Sequence, residues 1–323
     1  MVEQIGQERH RQERLIPLLV VAGPTAVGKT KISLALSQRL DGEIVSADSV
    51  QVYRYLDIGS AKPSLQERKG IPHHLIDLVD PDAEFTVYDY QQRAQKAIRE
   101  IDQRGRLPIL TGGTGLYIKA VLDSYRFDDR KTNPLIRKRL TEKLALKGKE
   151  YLYRLLQEID PSTAKKVHPN DLRRIKRALE FFYLTGEPIS RQRERTRKQK
   201  KTPYRLTVAG LTMERSCLYE RINRRADLMM QKGLLVEVRQ LLAKGYQSNL
   251  KSLQSLGYYH LIRYLEGEWD LETAISTLKR DTRRYAKRQL TWFRADERVR
   301  WYKLEPQAEK SIIDHICSRI EGY

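Results

Sequence analysis

Cysteine is nearly absent: Cys217 and Cys317 are the only two in 323 residues. They are too few for a disulfide framework and suit a reducing compartment such as the cytoplasm. Acidic residues are in the minority, 41 Asp and Glu against 61 Lys and Arg, which leaves a formal net charge of +20. Long apolar runs are missing too. No stretch approaches the roughly 20 residues that cross a bilayer. The first fourteen residues (MVEQIGQERHRQER) lack the apolar centre of a signal peptide, and with three charges of each sign they are expected to form a frayed tail over 1–14. His73 and His74 are adjacent and so point apart, and neither cysteine has a partner at zinc spacing, so no structural zinc is expected. What is present is 40% hydrophobic and 32% charged, a globular composition long enough for two domains or one elaborated one. The positive excess implies a polyanionic partner, with nucleic acid the first candidate and an acidic membrane surface the second.

That excess is local. Residues 126–205 hold 24 basic and 10 acidic residues, +14 of the +20. A smaller excess lies at 279–300, nine basic against three acidic. The low-complexity run at 191–201 (RQRERTRKQKK) reads alone as a solvated loop, but beside other basic helices it also fits a nucleic-acid surface.

The period of the apolar residues divides the chain. Residues 15–22 (LIPLLVVA) read as a strand buried on both faces of a parallel sheet. A glycine-rich turn and a helix over 29–40 follow, then strands at 43–47 and 75–79. From Phe85 the positions Val87, Tyr90, Ala94, Ile98 and Ile101 mark one helix face. Gly105 ends that helix and 107–110 (LPIL) gives another strand. Strands alternating with helices predict an α/β fold, a P-loop NTPase-like core with a parallel sheet. After about residue 123 the strand signal vanishes. Over 171–184, Leu172, Ile175, Leu179 and Phe182 form an apolar stripe, with Arg173, Arg174, Lys176 and Arg177 on the other faces. A strand at 204–210 then returns the chain to the sheet, and helices dominate to about 317. The organisation expected is a discontinuous core (15–122 and 203–317) interrupted by a basic helical insertion (123–202).

Residues 23–30 (GPTAVGKT) fit the phosphate-loop pattern G-x-x-x-x-G-K-[ST] in its required place between strand and helix. Backbone N–H groups and the helix N-terminus hold phosphate oxygens, Lys29 adds a charge, and the Thr30 hydroxyl suits Mg2+. Asp48, after the second strand, belongs beyond the strands' carboxyl ends, facing that loop. Three roles stay open for it: general base, magnesium ligand, or N-cap of the next helix. Residues 111–115 (TGGTG) end a strand where an ATPase often carries an acid. Here the strand ends in Thr111, which weakens a nucleotide-hydrolase reading unless Asp48 or Asp77 substitutes. The glycines allow close backbone approach to a ligand or simply make a turn. Arg221 and Arg225, four apart, share a helix face that could grip a diphosphate or remain solvated. Tyr258, Tyr259, Trp292 and Phe293 could stack bases or fill a core.

Eight ordered segments together resemble the bacterial tRNA dimethylallyltransferase family, the isopentenyl transferases: GPTAVGKT, SADSVQVYR (46–54), DIGSAKP (57–63), GIPHHLIDLVDP (70–81), GGTGLYI (112–118), RALEFFYLTGEPIS (177–190), RINRRADLMM (221–230) and KRQLTWFR (287–294). The likeness spans about 18–294. It implies Mg2+-assisted transfer of a dimethylallyl group from dimethylallyl diphosphate to N6 of the adenosine 3′ of the anticodon in tRNA. By motif match, Asp48 is the carboxylate that accepts the amine proton, Thr114 stands beside it, and Arg225 stabilises the leaving group. Gly23, Thr25, Ala26, Val27, Gly28, Lys29, Thr30 and Arg221 hold the diphosphate, Thr30 also the metal. Contacts to the anticodon stem–loop are implied for Asp48, Ser49, Val50 and Gln51, for Arg173, Arg174, Ile175, Lys176 and Arg177, and for Gln254, Ser255, Leu256, Gly257, Tyr258 and Tyr259. A cytoplasmic, bacterial-type enzyme acting as a monomer without membrane attachment is expected. The rival functions are a P-loop small-molecule kinase, prenylation of free adenine nucleotides, and non-catalytic RNA binding.

Overall fold

The apolar run after Leu15 forms β1 (Ile16–Ala22), whose last five residues are buried because neighbouring strands flank it on both sides. In the computed structural model, which describes residues 14–123, 133–198, 202–305 and 307–321, β1 leads through the phosphate loop into α1 (Lys29–Arg39). There follow β2 (Gly42–Ala47), buried throughout, a long connection, β3 (His73–His74) and α2 (Val87–Gln103). Thr86 and Asp89 close a reciprocal capping box at the start of α2, which satisfies backbone donors that have no partner within the helix. The positions foreseen for its inner face, Tyr90, Ala94, Ile98 and Ile101, are fully buried. Next come β4 (Leu107–Gly112) and α3 (Gly115–Leu122). After the helical segment α4 (Pro134–Ile159), α5 (Pro161–Ala164), α6 (Leu172–Thr185) and α7 (Ile189–Lys198), the chain resumes with β5 (Tyr204–Thr212), α8 (Arg215–Gln231), α9 (Leu234–Ala243), α10 (Tyr258–Leu265), α11 (Leu271–Arg294), β6 (Arg300–Lys303) and α12 (Glu309–Glu321).

The six strands form one sheet in the order β3-β2-β4-β1-β5-β6, and every pairing is parallel. The carboxyl ends of β1, β2 and β4 therefore align, with Ala22 opposite Gly112 and Gly112 opposite Ala47. The turns that follow these strands meet at one edge, where an open parallel sheet binds its ligands. Apolar layers pack on the two faces, one built on Leu18, Val20 and Tyr90 and the other on Leu19, Val21 and Ile32.

Two expectations need correction. The strand foreseen at 75–79 is absent: Leu75 and Asp77 adopt φ of 66° and 57°, which breaks an extended run. The edge strand lies just before it at His73–His74, and Val79 makes only an isolated bridge to Tyr53. Conversely β6, four residues with a cation at each end, gave no strand signal and is formed by its pairing with β5. The tail foreseen over 1–14 falls, except for Arg14, outside the described residues, as do residues 199–201 of the basic run.

The described residues divide into two compact units, with boundaries at Leu122/Asp123 and Thr202/Pro203. The second is all helical and has its own core, built on Leu140, Leu152, Leu156, Ile175 and Leu179. Its α6 starts on Asp171, whose side chain accepts from Arg174 N. The buried carboxylate of Glu180 accepts from Arg137 at 2.8 Å and from Arg177 at 3.2 Å. No helix among the described residues is long and apolar enough to cross a membrane.

Candidate active site

One pocket at the carboxyl edge of the sheet is lined by Thr25, Lys29 and Thr30 of the phosphate loop, by Asp48 and Gln51 after β2, by Thr111 to Gly113 after β4, and by Arg225, Tyr285 and Gln289 from α8 and α11. Gly28, at φ 111° and ψ 18°, turns the loop into α1, a left-handed conformation that costs glycine little. Lys29 Nζ donates to Gly23 O at 3.0 Å and Pro24 O at 2.8 Å. Burial pushes its pKa down to about 7, the nearby charge of Arg225 pushes the same way, and Asp48 opposes them. Two cations thus face one half-buried carboxylate, an arrangement short of negative charge that an anionic ligand would supply. Burial also lowers Arg225, again opposed by Asp48. Arg221 joins Ala26, Gly28, Lys29, Thr30 and Arg225 around a second depression beside the loop. Of the two arginines, only Arg225 lines both spaces.

Asp48 is both a cap and a pocket-facing acid. Its Oδ1 accepts from Val50 N at 2.8 Å and Gln51 N at 3.3 Å, which fixes the carboxylate while leaving Oδ2 to the pocket. Thr114 supports the same turn: its N–H donates to Ala47 O at 3.1 Å, and its Oγ1 accepts from Ser49 N at 3.1 Å. Where an NTPase would carry its strand-terminal acid, Thr111 Oγ1 instead accepts from Ser33 Oγ at 2.8 Å. Asp77 does not replace that acid, being paired with Lys62 at 2.5 Å and absent from the pocket lining.

The segment 287–294 supplies a residue to which sequence reasoning gave no role. Gln289 accepts from Thr25 N at 2.8 Å and donates to Gly113 O at 2.9 Å, so its amide ties the phosphate loop to the turn after β4. The closeness explains a glycine: a Cβ on Gly113 would fall on Gln289 Nε2. Tyr285 was also missed. It lines the pocket and hydrogen-bonds Thr114, while burial raises its pKa to about 12, so it remains a neutral donor. The only signal for Gln289 was its place in the matched segment 287–294, and Tyr285, just before that segment, carried none.

The remaining expected residues divide. Val27 is fully buried and its N–H lies 3.4 Å from Pro24 O, so its side chain serves packing. Ile175 is fully buried in the core of the helical unit, with Arg173, Arg174 and Arg177 exposed beside it. Tyr258 is fully buried too, its hydroxyl donating to Glu237 at 2.6 Å. Side chains so enclosed offer RNA no surface, so a contact at Ile175 or Tyr258 would have to be made by the backbone. Gln254 is exposed, Ser255, Leu256 and Tyr259 are half-buried, and Gly257 is buried. Among the aromatics, Phe293 is core and Trp292 is 42% exposed. His73 and His74 do point apart: His73 lines the pocket, whereas His74 pairs with Glu43 at 2.6 Å.

The IPP transferase family model matches residues 51–296. A protein of Alkaliphilus metalliredigens named tRNA dimethylallyltransferase is 51% identical over 306 residues, 95% of this chain and 97% of its own. One of the same name from Carboxydothermus hydrogenoformans is 48% identical, over 93% and 96% of the two chains. Among solved structures, the tRNA isopentenylpyrophosphate transferase of Bacillus halodurans superposes with a TM-score of 0.71 at 44% identity, covering 95% and 97% of the two chains. A eukaryotic dimethylallyltransferase acting on tRNA gives 0.81 at 29% identity, over 95% and 80%. On the match to the family model, the likeness of nearly full-length relatives and the shared fold, the chain belongs to the IPP transferase family.

Proposed function

We propose that the protein transfers a dimethylallyl group from dimethylallyl diphosphate to N6 of the adenosine 3′ of the anticodon (A37) in tRNA, releasing diphosphate. The observation that carries the reading is one pocket in which a phosphate loop, Arg225 and a fixed carboxylate meet, on a sheet whose β4 carries Thr111, not an acid, near its carboxyl end. Such a site is built for a diphosphate leaving group and a proton acceptor. It lacks the second acid that organises metal and water in nucleotide hydrolysis. The names of the relatives support tRNA as the acceptor and a dimethylallyl group as what is transferred.

An adenine amine is a weak nucleophile because its lone pair is delocalised into the ring. As N6 bonds to C1 of the dimethylallyl group and the C1–O bond breaks, N6 sheds one proton, which Asp48 Oδ2 accepts. Negative charge grows on the departing diphosphate, where Lys29, the loop amides and Arg225 stabilise it. The residues fit Mg2+ in the manner of substrate-bound magnesium: the Thr30 hydroxyl lines the pocket, and no cluster of three or more His, Cys, Asp or Glu side chains among the described residues offers an all-protein cage. The ion, held by Thr30 and the diphosphate oxygens, would neutralise charge on the leaving group. The adenosine must leave its stack to reach Asp48. A tRNA substrate suits a reaction in the cytoplasm.

The test is mass spectrometry of undermodified tRNA after incubation with dimethylallyl diphosphate and Mg2+. A gain of one C5H8 unit on A37 is expected, and Asp48→Asn should cut turnover roughly 10²- to 10⁴-fold with tRNA binding kept. Unchanged tRNA, or modification of AMP in preference to tRNA, would refute the reading.

A further inference from the structure

The pocket has one wall that neither the phosphate loop nor the acid supplies: Ser60, Ala61 and Pro63, part of the segment 57–63 that lies outside every helix and strand. Its backbone is gripped by a single carboxylate on α9. Glu237 Oε2 accepts from Ile58 N at 2.8 Å and Asp57 N at 3.2 Å, and Oε1 accepts from Gly59 N at 3.2 Å. Three successive N–H groups converging on an anion form a nest. The fourth bond comes from Tyr258, whose hydroxyl donates to the same Oε1 at 2.6 Å. Its ring lies so close to Gly59 that a Cβ there would collide with it. Burial, and after it the neighbouring Glu237, holds the Tyr258 proton well beyond the usual phenol range.

The grip reaches the acid through one further residue. Gln51 Nε2 lies 3.4 Å from both Ser60 O and Ala61 O, and Gln51 Oε1 accepts from Ser46 Oγ at 2.9 Å. The backbone N–H of the same residue donates to Asp48. A continuous run of hydrogen bonds therefore joins Glu237 to the turn at 57–61, the turn to Gln51, and Gln51 to Asp48. The donor side is held separately, by Gln289 on Thr25 and Gly113.

We propose that Glu237 is a positioning residue for the transfer: with Tyr258 it locks the 57–61 turn and, through Gln51, sets the place of Asp48 against the acceptor amine. Resting on the prenyl-transfer reading, this assigns the buried Tyr258 an indirect role in place of a side-chain contact to RNA. It also separates two halves of the site, so damage to one should leave the other intact.

Wild-type protein is assayed first with dimethylallyl diphosphate and tRNA. Inactivity there would overturn the transfer reading itself and is told apart from failure of the present inference. With wild type active, Glu237→Gln and Tyr258→Phe are compared for kcat, KM for tRNA, donor Kd and thermal midpoint. Misplacing a reacting group costs up to roughly 100-fold. Glu237→Gln should therefore lower kcat at least tenfold with donor Kd within twofold of wild type, and Tyr258→Phe should lower it less. The double variant should be no worse than Glu237→Gln alone, because both act through one turn. A lowered thermal midpoint with kcat unchanged would reduce Glu237 to a structural clasp and overturn the proposal. So would donor Kd rising in step with the loss of kcat. If Glu237→Gln fails to fold, Tyr258→Phe decides by the same split between kcat and donor Kd.

Discussion

Burial and the neighbouring charge of Arg225 push Lys29 down to about 7, and the residue has direct consequences for donor binding. A diphosphate beside it favours the ammonium form and raises its pKa. Below pH 7 Lys29 is already charged and binding needs no proton. Above pH 7 each binding event must take one up, while the donor, with its last ionisation near pH 6, gains no further charge to compensate. Donor Kd should therefore be flat between about pH 6 and 7 and weaken by up to about tenfold per pH unit above that window, with calorimetry in buffers of different ionisation enthalpy showing proton uptake. A Kd constant from pH 6 to 9 would remove Lys29 from that role. Asp48 illustrates how alternatives at one residue can coexist: Oδ1 caps the turn while Oδ2 is left for chemistry, so the cap is what aims the base.

Among the elements, α11 does the most to shape the site, although its pattern reads as an amphipathic basic helix. Its Gln289 joins two turns that lie 264 and 176 residues away in the chain. Gly113→Ala would place a methyl on that amide and break the clamp. A buried polar group left without its partner costs about 1–3 kcal/mol, so urea unfolding should show a loss of that order and titration should show weaker donor binding. Donor Kd unchanged in the variant would mean that the phosphate loop keeps its shape without α11. The strands show where sequence reading succeeds and fails. Long apolar runs such as β1 and β4 were legible, because strands buried on both faces leave no polar alternation. β6 was not, because four residues ending in cations carry no pattern and form a strand only through β5. The segment 75–79 erred the other way, apolar enough for a strand but turned by positive φ at Leu75 and Asp77.

For the whole molecule, the charge has separate uses. Residues 126–205 carry +14 of the +20, and within the described part of that stretch Arg173 and Arg174 are exposed, Arg174 while paired with Asp171 at 3.3 Å. Replacing both by Ala should weaken tRNA binding and reduce the slope of log affinity against log salt by up to about two, one for each phosphate left without its arginine. Donor Kd should not move, since the diphosphate pocket is built entirely from the other unit. An unaltered salt slope would place the RNA surface elsewhere. By itself the sequence determined that a phosphate loop sits between a buried strand and a helix, that Asp48 follows the second strand, and that a basic helical stretch interrupts an α/β core. These are properties of neighbours along the chain, read from period and spacing. Only the tertiary structure decided that Gln289, Tyr285 and Glu237 serve the site, and that Ile175 and Tyr258 are enclosed. The physical reason is the strand order β3-β2-β4-β1-β5-β6, which brings the ends of distant segments to one edge of the sheet, where packing and hydrogen bonding select partners that no local pattern encodes.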